Sequence, residues 1–541
     1  MASKQRYNRP NSTENMRDLI IVGAGTAGCV LAERLTSSGK LRVLLIEAGG
    51  PPASRFVSVP AGFLKLFKTP LDWALQSEPQ TAVKGRRIFT PRGKMLGGSS
   101  NMNAQIHQWC HPADFNRWEA EGASGWSWTE VAPIFRAQEC WVGDESDAER
   151  GRHGPMIISP NRNTRSLTGA FVAAARRAGF GDQDRYNGRA YEGAFIVDLA
   201  HKNGRRFSAY DAYLKPAMQR ANLEIISDAH VTKVIIDAGQ AKGVVVRRGG
   251  NEQTFAARGV VLSAGAFGSP QLLMLSGIGP AAALTKFGLP VQADAPDVGE
   301  NLQDHPVLPV VFRTRGTDTL KSAESLRNLL QYLVFKRGML ASNGVEAMAF
   351  KQVHLGPVAA PDLEIMFLPF ETRKEFLEPP QEHAFCLAPA VVAPESRGHL
   401  TLQGPDPLLP PRIDFGLLND SKGTDASVLW EGVRLSRKIA ATPPLAAANR
   451  GEMSPGVAVE SDDDLLTYAS TELQTVYHPT STCRMGSDTR AVVDPKLHVR
   501  GVDRLWVADA SVMPSVPRGH PNAVVAMIAE RAAGWIEQTL I

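Results

Sequence analysis

Gly23, Gly25 and Gly28 stand at G-x-G-x-x-G spacing, and Glu47 follows nineteen residues after the last of them. That pattern can cradle a dinucleotide. Gly23 permits a tight turn, Gly25 lets the backbone approach a pyrophosphate, and Gly28 lets a helix pack close to a strand. The start of that helix, with Thr26 and Ala27, offers unpaired N–H groups and a positive dipole end to phosphates. Glu47, followed by Ala48, is placed to accept hydrogen bonds from adenosine ribose hydroxyls, which argues against a 2′-phosphate and hence against NADP. Far along the chain, residues 505–533 read LWVADASVMPSVPRGHPNAVVAMIAERAA and have the character of a second half of the same site. A nicotinamide enzyme usually needs only the first half, whereas one that holds FAD tightly returns to it late. The pairing therefore favours a flavin.

These residues need a scaffold, and the sequence outlines one. Leu19–Val22 and Arg42–Glu47 are short apolar runs of the kind buried in a parallel sheet, with a helical stretch between them. This fingerprint alone does not separate NAD from FAD. A second glycine-rich loop, Gly93–Ala104, suits a backbone that closely approaches a flat ligand. Leu223–Ile226, Val231–Ile236 and Gly243–Val246 read as a strand meander leading to the buried strand Val260–Gly265, which returns the chain, through Ala264, to the first domain. Val524, Ile528, Ala532, Ile536 and Leu540 recur every four residues, so the segment after Asn522 should be an amphipathic helix.

Composition narrows the class. With 43% hydrophobic and 21% charged residues among 541, the chain reads as an ordinary globular protein, and its length alone would allow three or four domains. A net charge of +4, with the basic residues scattered, gives no support for nucleic-acid binding. The five cysteines (29, 110, 140, 386 and 483) form no Cys-x-x-Cys pair, so neither a disulfide framework nor a metal site is indicated. Residues 1–17 read as a loosely ordered polar tail without a secretory signal, and the apolar run 523–529 falls far short of the ~20 residues that cross a bilayer. A soluble, cytoplasmic protein is expected.

Five ordered stretches then give a specific resemblance: Gly93–Asn103, Gly265–Gly279, Val298–Pro306, Ser396–Gly398, and Tyr477 to the end. Together they resemble the glucose–methanol–choline (GMC) oxidoreductase family of FAD enzymes, from about residue 18 to the C-terminus. The resemblance implies an α/β fold in which a Rossmann-like FAD-binding domain (18–155, 222–305 and 485–541) is interleaved with an α+β substrate-binding domain (156–221 and 306–484). It implies that Arg92, Gly98, Asn101, Asn103 and Ala104 line the FAD, that Val231 meets the adenine, and that Asp509 and Ala510 contact the pyrophosphate and ribityl chain. Residues near Pro70–Trp73 would form a lid, although packing is the preferred reading for Trp73, Trp109, Trp118, Trp126 and Trp128. Where many members carry a flavin-linking histidine this chain has Met102, so the FAD is expected to be noncovalent.

Oxidising an alcohol removes a proton from oxygen and a hydride from carbon. FAD would accept the hydride at N5, and a histidine, with a reference pKa of about 6.5, suits the base. His478 occupies the family's catalytic-histidine position. A second group should hold the substrate oxygen as charge develops; Asn522 is favoured, with His520 two residues earlier as its rival and both near the cofactor. The implied reaction is FAD-dependent oxidation of a primary alcohol, a small molecule, to an aldehyde, with electrons passed to oxygen or another acceptor. Val476 would leave room for oxygen or simply pack. Glu364 could face a cation, a structural role being preferred, while Met366–Pro369 and Phe385 are candidate apolar walls. A hydroxynitrile lyase with non-redox FAD is the alternative, and a redox-inactive binding protein a third reading.

Overall fold

A computed structural model describes residues 16–356 and 358–541. Of the expected tail 1–17, residues 1–15 lie outside the described residues. Arg17 is anchored: its guanidinium pairs with Glu224 at 2.6 Å and its backbone bridges Ala257.

Five strands build a parallel sheet in the order Leu223–Ile226, Val43–Ile46, Leu19–Val22, Val260–Leu262, Leu505–Val507. A parallel sheet covered on both faces demands continuous apolar runs, which is why its central strands read LIIV, VLLI and VVL. Three neighbouring strands end at one edge in Gly23, Ser263 and Ala508, and ligands of open α/β sheets bind beyond that edge. Helix Thr26–Ser37 packs against Asn522–Leu540, and Arg34 bonds Glu530 at 2.6 Å, so the two chain ends are neighbours in space. Val524, Ile528, Ala532, Ile536 and Leu540 are buried, as their four-residue spacing predicts.

Leu223–Ile226 corrects one expectation. It is the edge strand of the parallel sheet, paired with Val43–Ile46, and the meander is instead His230–Asp237, Gln240–Arg248 and Asn251–Ala256. A half-buried strand of four residues has the same local pattern in either sheet; only its partner distinguishes them.

The second layer is an antiparallel sheet running Asn449–Ser454, Val310–Thr314, Ala384–Val391, Leu363–Leu368, Ala347–Lys351, Gly193–Ile196, with Pro306–Val307 and Gln474–Thr475 joined at its side. Leu363–Leu368 and Ala384–Val391 are buried along their whole length. Trp109, Trp118 and Trp126 are core residues, and Trp128 packs against that core. Trp73 departs from the packing expectation: it lines the central cavity, with the Lys94 ammonium 4.6 Å from its ring.

Candidate active site

A cavity of about 880 Å³ runs from the edge of the parallel sheet to the antiparallel one. At its first end three helices begin: at Thr26, Gly265 and Asn522. None has a side-chain N-cap, and all three first residues line the cavity. Their orphan N–H groups and dipole ends make this end positive, the environment a diphosphate requires.

The glycines explain how a ligand comes so close. A Cβ on Gly25 or Gly265 would meet no protein atom within 4 Å, so each points into open space that a ligand can fill. A Cβ on Gly28 would lie 1.9 Å from the Gly23 carbonyl oxygen, so only glycine lets this helix sit on its strand. Gly98, at φ +50°, would place a Cβ 2.7 Å from the Gly25 Cα, which shows the second glycine loop pressed against the first.

Glu47 accepts the Ala24 N–H at 2.8 Å and the Gly49 N–H at 2.9 Å, and burial raises its pKa to about 7. Each carboxylate oxygen keeps a second lone pair for a hydroxyl donor. Asp509 takes the Gly265 N–H at 2.9 Å and the Ser269 hydroxyl at 2.5 Å, and burial raises its pKa too. Ala27, Ala48, Arg92, Asn103, Ala104, Val231, Ala264 and Ala510 all stand in the cavity wall. Two expected lining residues do not. Gly28 is consumed by helix packing, and Asn101 turns its carboxamide to the Leu96 carbonyl at 2.8 Å, holding the loop from behind. The shape, the positive end and the glycine-only approach fit FAD.

Beside the start of the Asn522 helix, where the cavity meets the antiparallel sheet, three imidazoles meet. His478 Nδ1 lies 3.1 Å from His305 Nδ1, and the His478 ring is 5.0 Å from that of His520, edge to face. Each is held by its neighbours. Asp304 accepts the backbone N–H of both His305 and His478 at 2.8 Å, clamping two distant segments together. Burial raises the Asp304 pKa to about 7. Arg92 donates to the Tyr477 carbonyl at 2.6 Å, and Tyr477 sits at φ +65° just before His478. A bulky residue in that region is strained by roughly 1–3 kcal/mol, a feature that concentrates at functional sites. Burial, with the nearby His520, His305 and Arg92, holds the His478 pKa well below the imidazole range, and burial with His520 lowers that of His305 to about 3.

His520 is positioned by its backbone and by its ring. Its N–H donates to Gln108 Oε1 at 3.1 Å, and a Cβ on Gly519 (φ +114°) would lie 2.1 Å from that oxygen. Its Nε2 meets Glu364 Oε1 at 3.0 Å, and Glu364 is buried on the antiparallel sheet. Next to it Arg518 forms a buried ion pair with Asp114. Asn522 lines the same cavity and its Oδ1 accepts from Thr26 Oγ1 at 2.8 Å, while the ring that meets His478 belongs to His520. His305 and Asp304 went unassigned in the sequence although both lie in Val298–Pro306; an Asp-His pair beside a proline carries no local mark of meeting residue 478.

Residues 17–307 and 394–529 match family models described as GMC oxidoreductase, so cradle and imidazoles belong to an FAD-dependent oxidoreductase. A GMC-type oxidoreductase of Mycobacterium tuberculosis (strain ATCC 25618 / H37Rv) is 43% identical over 97% of this chain and 99% of its own. The oxygen-dependent choline dehydrogenase of Rhizobium etli (strain CIAT 652) is 39% identical, covering 96% of this chain and 95% of its own. Among solved structures, pyridoxine 4-oxidase from Mesorbium loti superposes with a TM-score of 0.86 at 30% identity, covering 96% of this chain and 99% of that one. The chain belongs to the GMC oxidoreductase family. Among the described residues no helix is long and apolar enough to cross a membrane, and no cluster of His, Cys, Asp and Glu is arranged for a metal ion.

Proposed function

We propose that the protein oxidises a neutral, largely apolar primary alcohol to its aldehyde, with His478 as the base and His520, in place of Asn522, as the group that holds the substrate oxygen. The observation that carries this reading is the 3.1 Å contact between the Nδ1 atoms of His478 and His305. One of the two must donate and the other accept. The Val392 and Pro517 backbone favours a proton on the His305 ring, and we assign that proton to Nε2, the nitrogen turned away from His478. His305 Nδ1 then accepts, His478 Nδ1 donates, and His478 Nε2 is left bare. A neutral imidazole with a bare nitrogen is what proton removal from a hydroxyl needs.

His520 complements it. Glu364 at 3.0 Å fixes the ring beside His478, which places His520 to stabilise negative charge developing on the substrate oxygen. Bound FAD would supply the hydride acceptor. We assign the nucleotide cradle to the segments around 18–155, 222–305 and 485–541, and the substrate wall chiefly to 306–484. Met102 lies in an apolar cluster with Val57, Leu66 and Met95 and offers no nucleophile, which supports noncovalent FAD.

The substrate class follows from the walls. Phe63, Val307, Val345, Met366, Leu368 and Phe370 line the cavity near the imidazoles. The carboxylates among the described lining residues are Glu47, Glu78 and Asp509. Glu47 and Asp509 serve the nucleotide end, and Glu78 hydrogen-bonds through its N–H to Ile413 and lies 3.5 Å from Arg87. Glu364 is engaged with His520 and is not in the wall. A quaternary ammonium would enter this chamber without a counter-charge, so choline is a poor substrate here despite the relatives named for it.

The test is an anaerobic alcohol screen that follows flavin absorbance. Benzyl or branched aliphatic alcohols should bleach the flavin much faster than choline. Faster bleaching by choline would refute the substrate class while leaving alcohol oxidation intact; failure of every alcohol to bleach it would refute alcohol oxidation and favour a non-redox flavin.

A further inference from the structure

Helix Leu326–Phe335 carries an inverted apolar stripe. Leu326, Leu329, Leu330 and Leu333 recur at i, i+3, i+4 and i+7, the spacing that normally turns a helix face to the core. Here that face is turned outward. Leu326 is 71% exposed, Leu330 53%, Leu333 55%, and Val334 and Phe335 each 68%. Tyr332 is the residue this helix buries. The helix is well formed, with Ser325 capping the Asn328 N–H and Lys336 ending it in the left-handed region. A contiguous exposed apolar patch of this kind marks an interaction surface.

The charges around it choose the partner. Residues 315–340 contain five basic side chains (Arg315, Lys321, Arg327, Lys336, Arg337) and two acidic ones. Both acids are paired, Asp318 with Arg165 and Glu324 with Lys65. The turn at Gly204 abuts the Lys336 carbonyl, which brings Lys202 and Arg205 to the same edge. The surface is thus apolar in the middle and cationic at its rim. A second copy docking symmetrically would set that cationic rim against itself. An anionic bilayer complements both parts, taking the leucines into its interface and the cations onto its headgroups. Ten residues span about 15 Å, half of what a crossing needs, so the helix lies in the membrane plane.

We propose that the Leu326–Phe335 face docks the protein peripherally on an anionic lipid surface. The face borders the substrate end of the cavity. Met339–Ala341, just beyond the helix, packs on Pro60–Leu66, whose Phe63 and Leu64 line the chamber, and Lys65 of that segment holds Glu324. An apolar compound dissolved in the bilayer would meet the chamber from this side. The docking does not depend on the substrate reading and is tested separately from it.

The experiment is co-sedimentation of the flavin-loaded protein with vesicles of phosphatidylcholine, alone or mixed three to one with phosphatidylglycerol. Binding is expected to the mixed vesicles, to be weaker on neutral ones, and to fall with added salt. Leu330→Glu/Leu333→Glu should abolish it, and Lys336→Gln/Arg337→Gln should weaken it about 30-fold, two headgroup contacts being removed. Flavin absorbance and thermal midpoint report whether each variant is folded; should the leucine variant misfold, the charge variant alone decides. The proposal is overturned if the native protein ignores anionic vesicles, or if the folded variants bind as well as it does. It is equally overturned if the native protein is a dimer in solution that the leucine variant splits and neither form binds vesicles, since the occupant is then a second copy.

Discussion

Replacing His520 and Asn522 separately by alanine discriminates between two neighbours that differ in what they touch. The His520 ring faces His478 at 5.0 Å and is oriented by Glu364 at 3.0 Å, so under the proposed role its removal deletes a preorganised group at the reacting oxygen. Losing one such donor costs about 2.7–4 kcal/mol of transition-state stabilisation, or roughly 10²–10³ in rate. The anchor to Gln108 is the backbone N–H of residue 520, which alanine retains, so the loop should keep its course. Asn522 instead accepts from Thr26 at 2.8 Å across two helix starts. One such hydrogen bond contributes about 1 kcal/mol net, which bounds the effect on rate at about fivefold. The assay is stopped-flow flavin reduction without oxygen at saturating alcohol, with flavin content measured first. Because Glu364 acts through His520, adding Glu364→Gln to His520→Ala should slow the reaction little further. A larger loss in Asn522→Ala than in His520→Ala would show that the ring contact has no bearing on the chemistry and restore Asn522 to the role.

The other expectations use different readouts. The His478 pKa is depressed in the folded protein, so its neutral form persists as pH falls, and the acid limb of flavin reduction should lie below the free-imidazole value of about 6.5; a limb near pH 7 or above would contradict the buried, neutral base. His478→Ala should slow reduction by about 10²–10⁴-fold, and near-normal reduction would remove it from the mechanism. Gly98→Ala combines a left-handed residue with a Cβ 2.7 Å from the Gly25 Cα, so purified variant should carry markedly less flavin per protein, whereas Gly39→Ala (φ +72°, nothing within 4 Å) should retain it. Acid precipitation should release all the FAD into the supernatant, and flavin left with the pellet would reveal a covalent bond that Met102 does not explain.

What the sequence made legible was what local spacing encodes. Gly23, Gly25, Gly28 and Glu47 belong to one strand–helix–strand unit of about thirty residues, where position within the unit sets each place: Gly23, Gly25 and Glu47 stand in the cavity wall and Gly28 packs the helix on its strand. The C-terminal helix was legible for the same reason, its apolar period being self-contained. What escaped the sequence shares a different cause. Leu223–Ile226 needed a partner 180 residues away to reveal its sheet, and Trp73 needed the cavity to reveal its face. Choosing between His520 and Asn522 depended on which way each side chain leaves a turn fixed by Gly519 and Gln108, and Gln108 is more than four hundred residues upstream. His305 was hidden for the deepest reason: the contribution proposed for it, the proton's location on His478, is a property of two rings and an Asp304 clamp that exists only once both segments are brought together. Residues that bind through the backbone are therefore written into short motifs, whereas residues that set protonation are written into tertiary contacts.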